Sequence, residues 1–186
     1  MEEIKFYLDE AKEMMEKSLK HTAVEFNKIR AGKASPAMLD GLTVDYYGVP
    51  TPLSQASSIT TPDARTIAIK PFEKKLITEI EKAIKNSDLG LNPQNDGEIV
   101  RLSIPPMTEE RRRDLVKQVK VEAEAGKVRV RNVRKEINES LRKLLKEGAS
   151  EDDVKNAEEK TQTLTDNYIT KVDQLVAAKE AEIMTV

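Results

Sequence analysis

Six cations recur at helical spacing in the second half of this chain: Arg113, Lys120, Lys127, Arg131, Arg134 and Lys135. At about 100° per residue, with Val130 set to zero, Arg113, Lys120 and Arg131 fall near about 80–100° and Lys127 near about 60°. Lys135 lies near about 140° with Lys117 and Arg142 close by, and Arg134 near about 40°, at the border of an apolar seam. A row of this kind suits the repeating negative charge of a phosphate backbone. The arginines in Val130-Arg131-Asn132-Val133-Arg134 add planar forks that grip phosphate oxygens in pairs. Between Arg113 and Arg142, Glu124 is the one acid in the sector. The plainer reading is a solvated face whose cations pair with an acidic neighbour. Such a neighbour exists, because residues 106–147 hold 13 Lys and Arg against 8 Asp and Glu, while residues 148–186 hold 4 against 9. The formal net charge of −2 conceals this asymmetry.

No catalytic constellation stands beside the basic row. Gly32-Lys33-Ala34-Ser35 resembles part of a phosphate loop, but Asn27 stands where its first glycine belongs, and the order is helix then loop. His21 is the sole histidine and reads as a helix-surface residue. Asp88, Asp96 and Glu98 surround a Gly/Pro/Asn turn, where carboxylates commonly satisfy backbone donors. Tyr46-Tyr47 offers one ring for recognition, and strand alternation places the other in a small core. The absence of cysteine excludes disulfides and thiolate chemistry. Aromatics at 4% argue against a deep ligand pocket. No apolar run reaches the ~20 residues of a bilayer span. The expectation is a cytoplasmic, non-enzymatic protein without metal or cofactor.

The elements that must hold the basic row follow from proline. All eight prolines lie between Pro36 and Pro106, and the 80 residues after them contain none. Since proline inside a helix costs roughly 3 kcal/mol, both ends are free to form long helices around a middle of turns and strands. Ile4, Leu8, Ala11, Met15, Leu19, Ala23, Phe26 and Ile29 mark the first helix. Val119, Ala123, Gly126, Val130, Val133, Ile137, Leu141 and Leu144 mark a second, started by Thr108 with Glu109 and Glu110. Val154, Ala157, Thr161, Leu164, Tyr168, Val172 and Leu175 mark a third, capped by Ser150. Three helices with one apolar stripe each must pack as a bundle. Between them, residues 42–47, 57–61, 65–70 and 98–104 read as strands, and residues 73–86 as an amphipathic helix. The fold expected is α+β: a discontinuous three-helix bundle, residues 1–30 and 106–186, with an inserted β/α/β domain at 31–105.

The chain resembles the bacterial ribosome recycling factor family. The resemblance runs through Ile29-Arg30-Ala31-Gly32-Lys33-Ala34-Ser35-Pro36, Asp45-Tyr46-Tyr47-Gly48, Ser87-Asp88-Leu89-Gly90-Leu91-Asn92-Pro93, Pro105-Pro106 with Thr108 to Arg112, and Val130 to Arg134. Lys33 departs from the arginine common in the family, and Gly126 inside the long helix is unusual for it. The resemblance implies an L-shaped pair of domains and a monomer. It implies binding to large-subunit rRNA through Arg131, Arg134 and Arg30, and disassembly of the post-termination ribosome with elongation factor G and GTP. Arg113, Lys120, Lys127, Lys135 and Lys33 join the expected rRNA-binding set, with hinges at Ala31-Gly32 and Pro105-Pro106. The competing classes are a helical adaptor for an acidic protein and a chaperone-like helical hairpin, both with weak RNA affinity and no need of elongation factor G.

Overall fold

The computed structural model describes residues 2–185. In chain order these form α1 (Glu2–Lys28), the hairpin β1 (Thr43–Tyr46) and β2 (Val49–Pro52), a single turn α2 (Leu53–Ala56), β3 (Ser57–Asp63), β4 (Thr66–Pro71), α3 (Ile77–Lys85), β5 (Pro93–Asn95), β6 (Val100–Ser103), α4 (Glu109–Lys146) and α5 (Glu151–Met184). The chain divides into two compact units: residues 2–30 with Glu109–Thr185, and Ala31–Thr108. The class is α+β, a long helical bundle with a small antiparallel unit inserted in its sequence.

In the bundle, α1, α4 and α5 each pack on the other two. All eight stripe residues expected on α4 are buried, over a helix of 38 residues, or about 57 Å at 1.5 Å per residue. On α1 the structure departs from the expected stripe, because Thr22 is wholly buried and Ala23 only partly. The cause lies on α4. Gly126 faces Thr22, and a Cβ there would sit 2.5 Å from Thr22 Oγ1. Glycine in the middle of a helix costs about 1 kcal/mol of propensity, and here it lets the two helices approach. The Thr22 hydroxyl donates to the Ser18 carbonyl (2.9 Å) and accepts from Arg129 Nη2 (3.1 Å), so its burial leaves nothing unsatisfied. Buried Thr161 and Thr165 on α5 likewise donate to carbonyls one turn back. Tyr168, 2% exposed, donates to Glu16 Oε2 at 2.8 Å and ties α5 to α1. Burial, reinforced by that carboxylate, pushes its phenol up to about 12.

Ser150 stands at the N-cap of α5, yet its hydroxyl makes no capping bond. The backbone carbonyl of Ser150 accepts from Val154 N–H instead, and Glu151, Asp152 and Asp153 complement the positive helix end.

In the inserted unit, β3-β4-β6-β5 form an antiparallel sheet and β1-β2 a separate hairpin. β4 lies between β3 and β6, so Ile67, Ala68 and Ile69 are all buried. The apolar face of α3, Ile77, Ile80 and Ile84, shares one core with Val44, Leu53, Val100 and Leu102.

Candidate nucleic-acid interface

Helix α4 carries the basic row as one uninterrupted element, and the row runs along the side that meets α5. Lys127 Nζ lies 2.6 Å from Asp173 Oδ1, Lys120 Nζ 3.8 Å from Glu180 Oε1, and Arg142 Nε 2.8 Å from Glu158 Oε1. Arg134 Nη1 donates to Gln162 Oε1 (2.8 Å), and Gln162 Nε2 donates onward to Asp166 Oδ1 (2.8 Å). Arg131 turns along its own helix to Glu124 at 2.9 Å, and Arg113 to Glu109 at 3.7 Å. Lys135 is exposed and has no ion pair among the described residues. The basic face and the acidic-helix pairing posed as alternatives by the sequence are therefore present together. They differ by residue. Lys127, with a side chain 20% exposed, braces the seam, whereas Arg131 at 42% keeps its guanidinium open to solvent.

Not every expected site residue joins this edge. Arg30 lies in a groove with Ile29, Arg111, Leu115, Lys117 and Val121, on the α1 side of α4. Lys117 and Arg131 are fourteen residues apart on α4, about 21 Å along the axis. Lys33 belongs to the inserted unit, where it is exposed. Of the expected hinge residues, Ala31 is buried and Pro105 and Pro106 are exposed. Gly32 adopts φ 73°, and Met107 closes over it so that a Cβ would lie 2.9 Å from Met107 Cγ. That backbone conformation disfavours any residue with a side chain.

Sequence reasoning missed Arg129, which bridges Thr22 and Glu122 (2.9 Å) on the α1 side. It also missed the partners on α5. Glu158, Gln162, Asp166, Asp173 and Glu180 recur at steps of four and seven, a legible polar stripe. As expected of the pair, Tyr46 packs against the core of the inserted unit and Tyr47 is exposed; their shared partner was not foreseen. Tyr47 leaves β1 at φ 50°, and both hydroxyls donate to Glu73, at 2.7 and 2.9 Å. These bonds, that of Tyr46 foremost, hold the Glu73 carboxyl below its usual range and raise both phenols. Asp96 accepts from the backbone of Ile99 and Glu98 and so organises the turn before β6. His21 is exposed on α1. Among the described residues no group of His, Cys, Asp or Glu could hold a metal ion, and no helix is long and apolar enough to cross a membrane.

A family model described as ribosome recycling factor matches residues 22–184. The chain is 59% identical to the ribosome-recycling factor of Cytophaga hutchinsonii and 60% identical to that of Amoebophilus asiaticus, over 186 residues and the whole of both chains in each case. Among solved structures it is similar to a solution structure of the ribosome recycling factor, with 40% identity, a TM-score of 0.72 and full coverage of both chains. It is also similar to a structure giving models for the T. thermophilus ribosome recycling factor and the E. coli elongation factor G bound to the E. coli post-termination complex. That match has 45% identity and a TM-score of 0.60, and covers 97% of this chain and 98% of the other.

Proposed function

The chain belongs to the ribosome recycling factor family, and on that premise we propose that it disassembles post-termination ribosomes together with elongation factor G and GTP, as a mechanical translation factor that performs no covalent step. The outward edge of α4 is the anchor on large-subunit rRNA. The observation that carries this reading is Arg131, a solvent-open guanidinium beside the unpaired Lys135 on a rigid helix. Phosphate contacts from such an edge fix position without reading sequence, as befits a structured RNA recognised by shape. Arg113 and Lys120 extend the edge, while Lys127 and Arg134 act chiefly by holding α4 to α5.

In this mechanism the bundle stays fixed to the large subunit, and the inserted unit receives the push from elongation factor G. Ala31-Gly32 and Pro105-Pro106 are the joints. The chain works as a wedge, and α4 is long enough to carry force across tens of ångströms without an internal break. The pairing of α4 cations with α5 also favours a second reading, a helical adaptor whose charges are used internally. Sedimentation of post-termination ribosomes separates the two. The recycling reading expects subunits to appear only when this chain, elongation factor G and GTP are all present. Intact ribosomes under the same conditions would leave the adaptor.

A further inference from the structure

Among the described residues, three carboxylates lie within 3 Å of cations on the α4 edge: Glu124 on Arg131, Asp173 on Lys127 and Glu158 on Arg142. Asp173 and Glu158 also fasten α5 to α4, but folding is a poor explanation for Glu124, since a pair exposed on both sides adds little to stability. Glu124 and Arg131 even share one helix, so their pair joins nothing to anything. Whatever else it does, each acid is a counterion built into the protein at a fixed place.

That has a consequence for RNA. A bare cation that meets a phosphate gains by releasing the counterions condensed on the nucleic acid, whatever the nucleic acid's shape. A cation with its own carboxylate must first give it up, and the carboxylate then repels the RNA. The exchange is favourable where a rigid surface presents phosphates in register with several cations at once. A flexible strand, which supplies phosphates one at a time, does not meet that condition. We propose that Glu124, Glu158 and Asp173 are specificity determinants of the α4 edge, acting as internal counterions that suppress binding to unstructured RNA more than binding to the folded rRNA of the large subunit. The inference rests on the proposal that this edge meets rRNA.

The test uses the full chain carrying Glu124→Gln, Glu158→Gln and Asp173→Asn, which keep shape and remove charge. Its affinities for poly(U) and for isolated large ribosomal subunits are measured against wild type at several salt concentrations. Poly(U) binding is expected to tighten by about tenfold at about 0.1 M salt with a steeper salt dependence, and subunit binding to change by less than about threefold. Poly(U) affinity within twofold of wild type, or equal gains on both targets, would overturn the proposal. Glu124→Gln alone, whose partner lies on the same helix, should shift poly(U) binding in the same direction by about threefold, and it keeps the test decisive should the triple variant fold poorly. Subunit binding by Arg131→Ala reads the parent proposal separately. If that binding is unchanged the anchor is wrong, while the poly(U) comparison still reports on screening.

Discussion

A methyl group added at Gly126 would meet Thr22 Oγ1 at 2.5 Å and its Cγ2 at 3.1 Å, and Thr22 cannot swing away because its hydroxyl is held by Ser18 and Arg129. Gly126→Ala should therefore destabilise the bundle by about 1–3 kcal/mol by overpacking, outweighing the roughly 1 kcal/mol of helix propensity that alanine brings. In Thr22→Ala the obstacle is gone, so the two substitutions should couple favourably by about 1 kcal/mol or more in a double-mutant denaturation cycle. Additive losses would mean that α1 and α4 do not meet there. Tyr168 gives a second prediction at this scale. Its folded pKa, about 12, is raised above the usual value near 10, so the phenol's contribution is fully present below about pH 10 and is lost as pH rises towards 12. Tyr168→Phe should cost about 0.5–1.5 kcal/mol at neutral pH, the range for one hydrogen bond. The stability gap between the two proteins should narrow above pH 10, and a gap that stayed constant to pH 12 would show that burial and Glu16 do not raise the Tyr168 phenol in the folded protein.

At the scale of elements, the helices were legible because burial repeats along them. Every stripe residue named on α4 is buried, and proline confined the strands to the middle of the chain. The basic row was legible for the same reason, as an angle on one helix. Its partners were not, since the rotation of α5 about α4 follows from packing between helices and not from either period alone. The sharing of Glu73 by Tyr46 and Tyr47 escaped for a local reason. Strand alternation assumes that the strand continues, and the chain turns at Tyr47-Gly48 with positive φ at both residues. The cores of the bundle and of the inserted unit share no residue. A chain joining residues 1–30 to 106–186 through a short flexible linker should accordingly fold as a cooperative helical bundle by circular dichroism and thermal melting. It should bind large subunits and fail to split ribosomes. An unfolded product would mean that the bundle depends on the insert.

For the whole molecule the prediction is that grip and motion separate. Gly32 sits at φ 73° under Met107, so Gly32→Val strains the connection without touching the α4 edge. Affinity for the large subunit should stay within about threefold of wild type while single-turnover splitting by elongation factor G slows by about tenfold or more, the pattern of a hinge. Equal losses in both would make Gly32 a contact residue.

Anchoring by the outward edge of α4 underlies the ribosome-binding expectations, and Arg131 is where it is most exposed to test. The measurement is the equilibrium affinity of Arg131→Ala for isolated large subunits from about 50 to 200 mM salt, with thermal unfolding as the control for fold. Loss of one charge-assisted phosphate contact should weaken binding by about 1–3 kcal/mol and reduce the salt slope by about one, with unfolding unchanged. Arg134→Ala, placed at the α4–α5 seam, should weaken binding too, with a measurable loss of stability beside it. Wild-type affinity and an unaltered slope for Arg131→Ala in a folded protein would contradict the anchor outright.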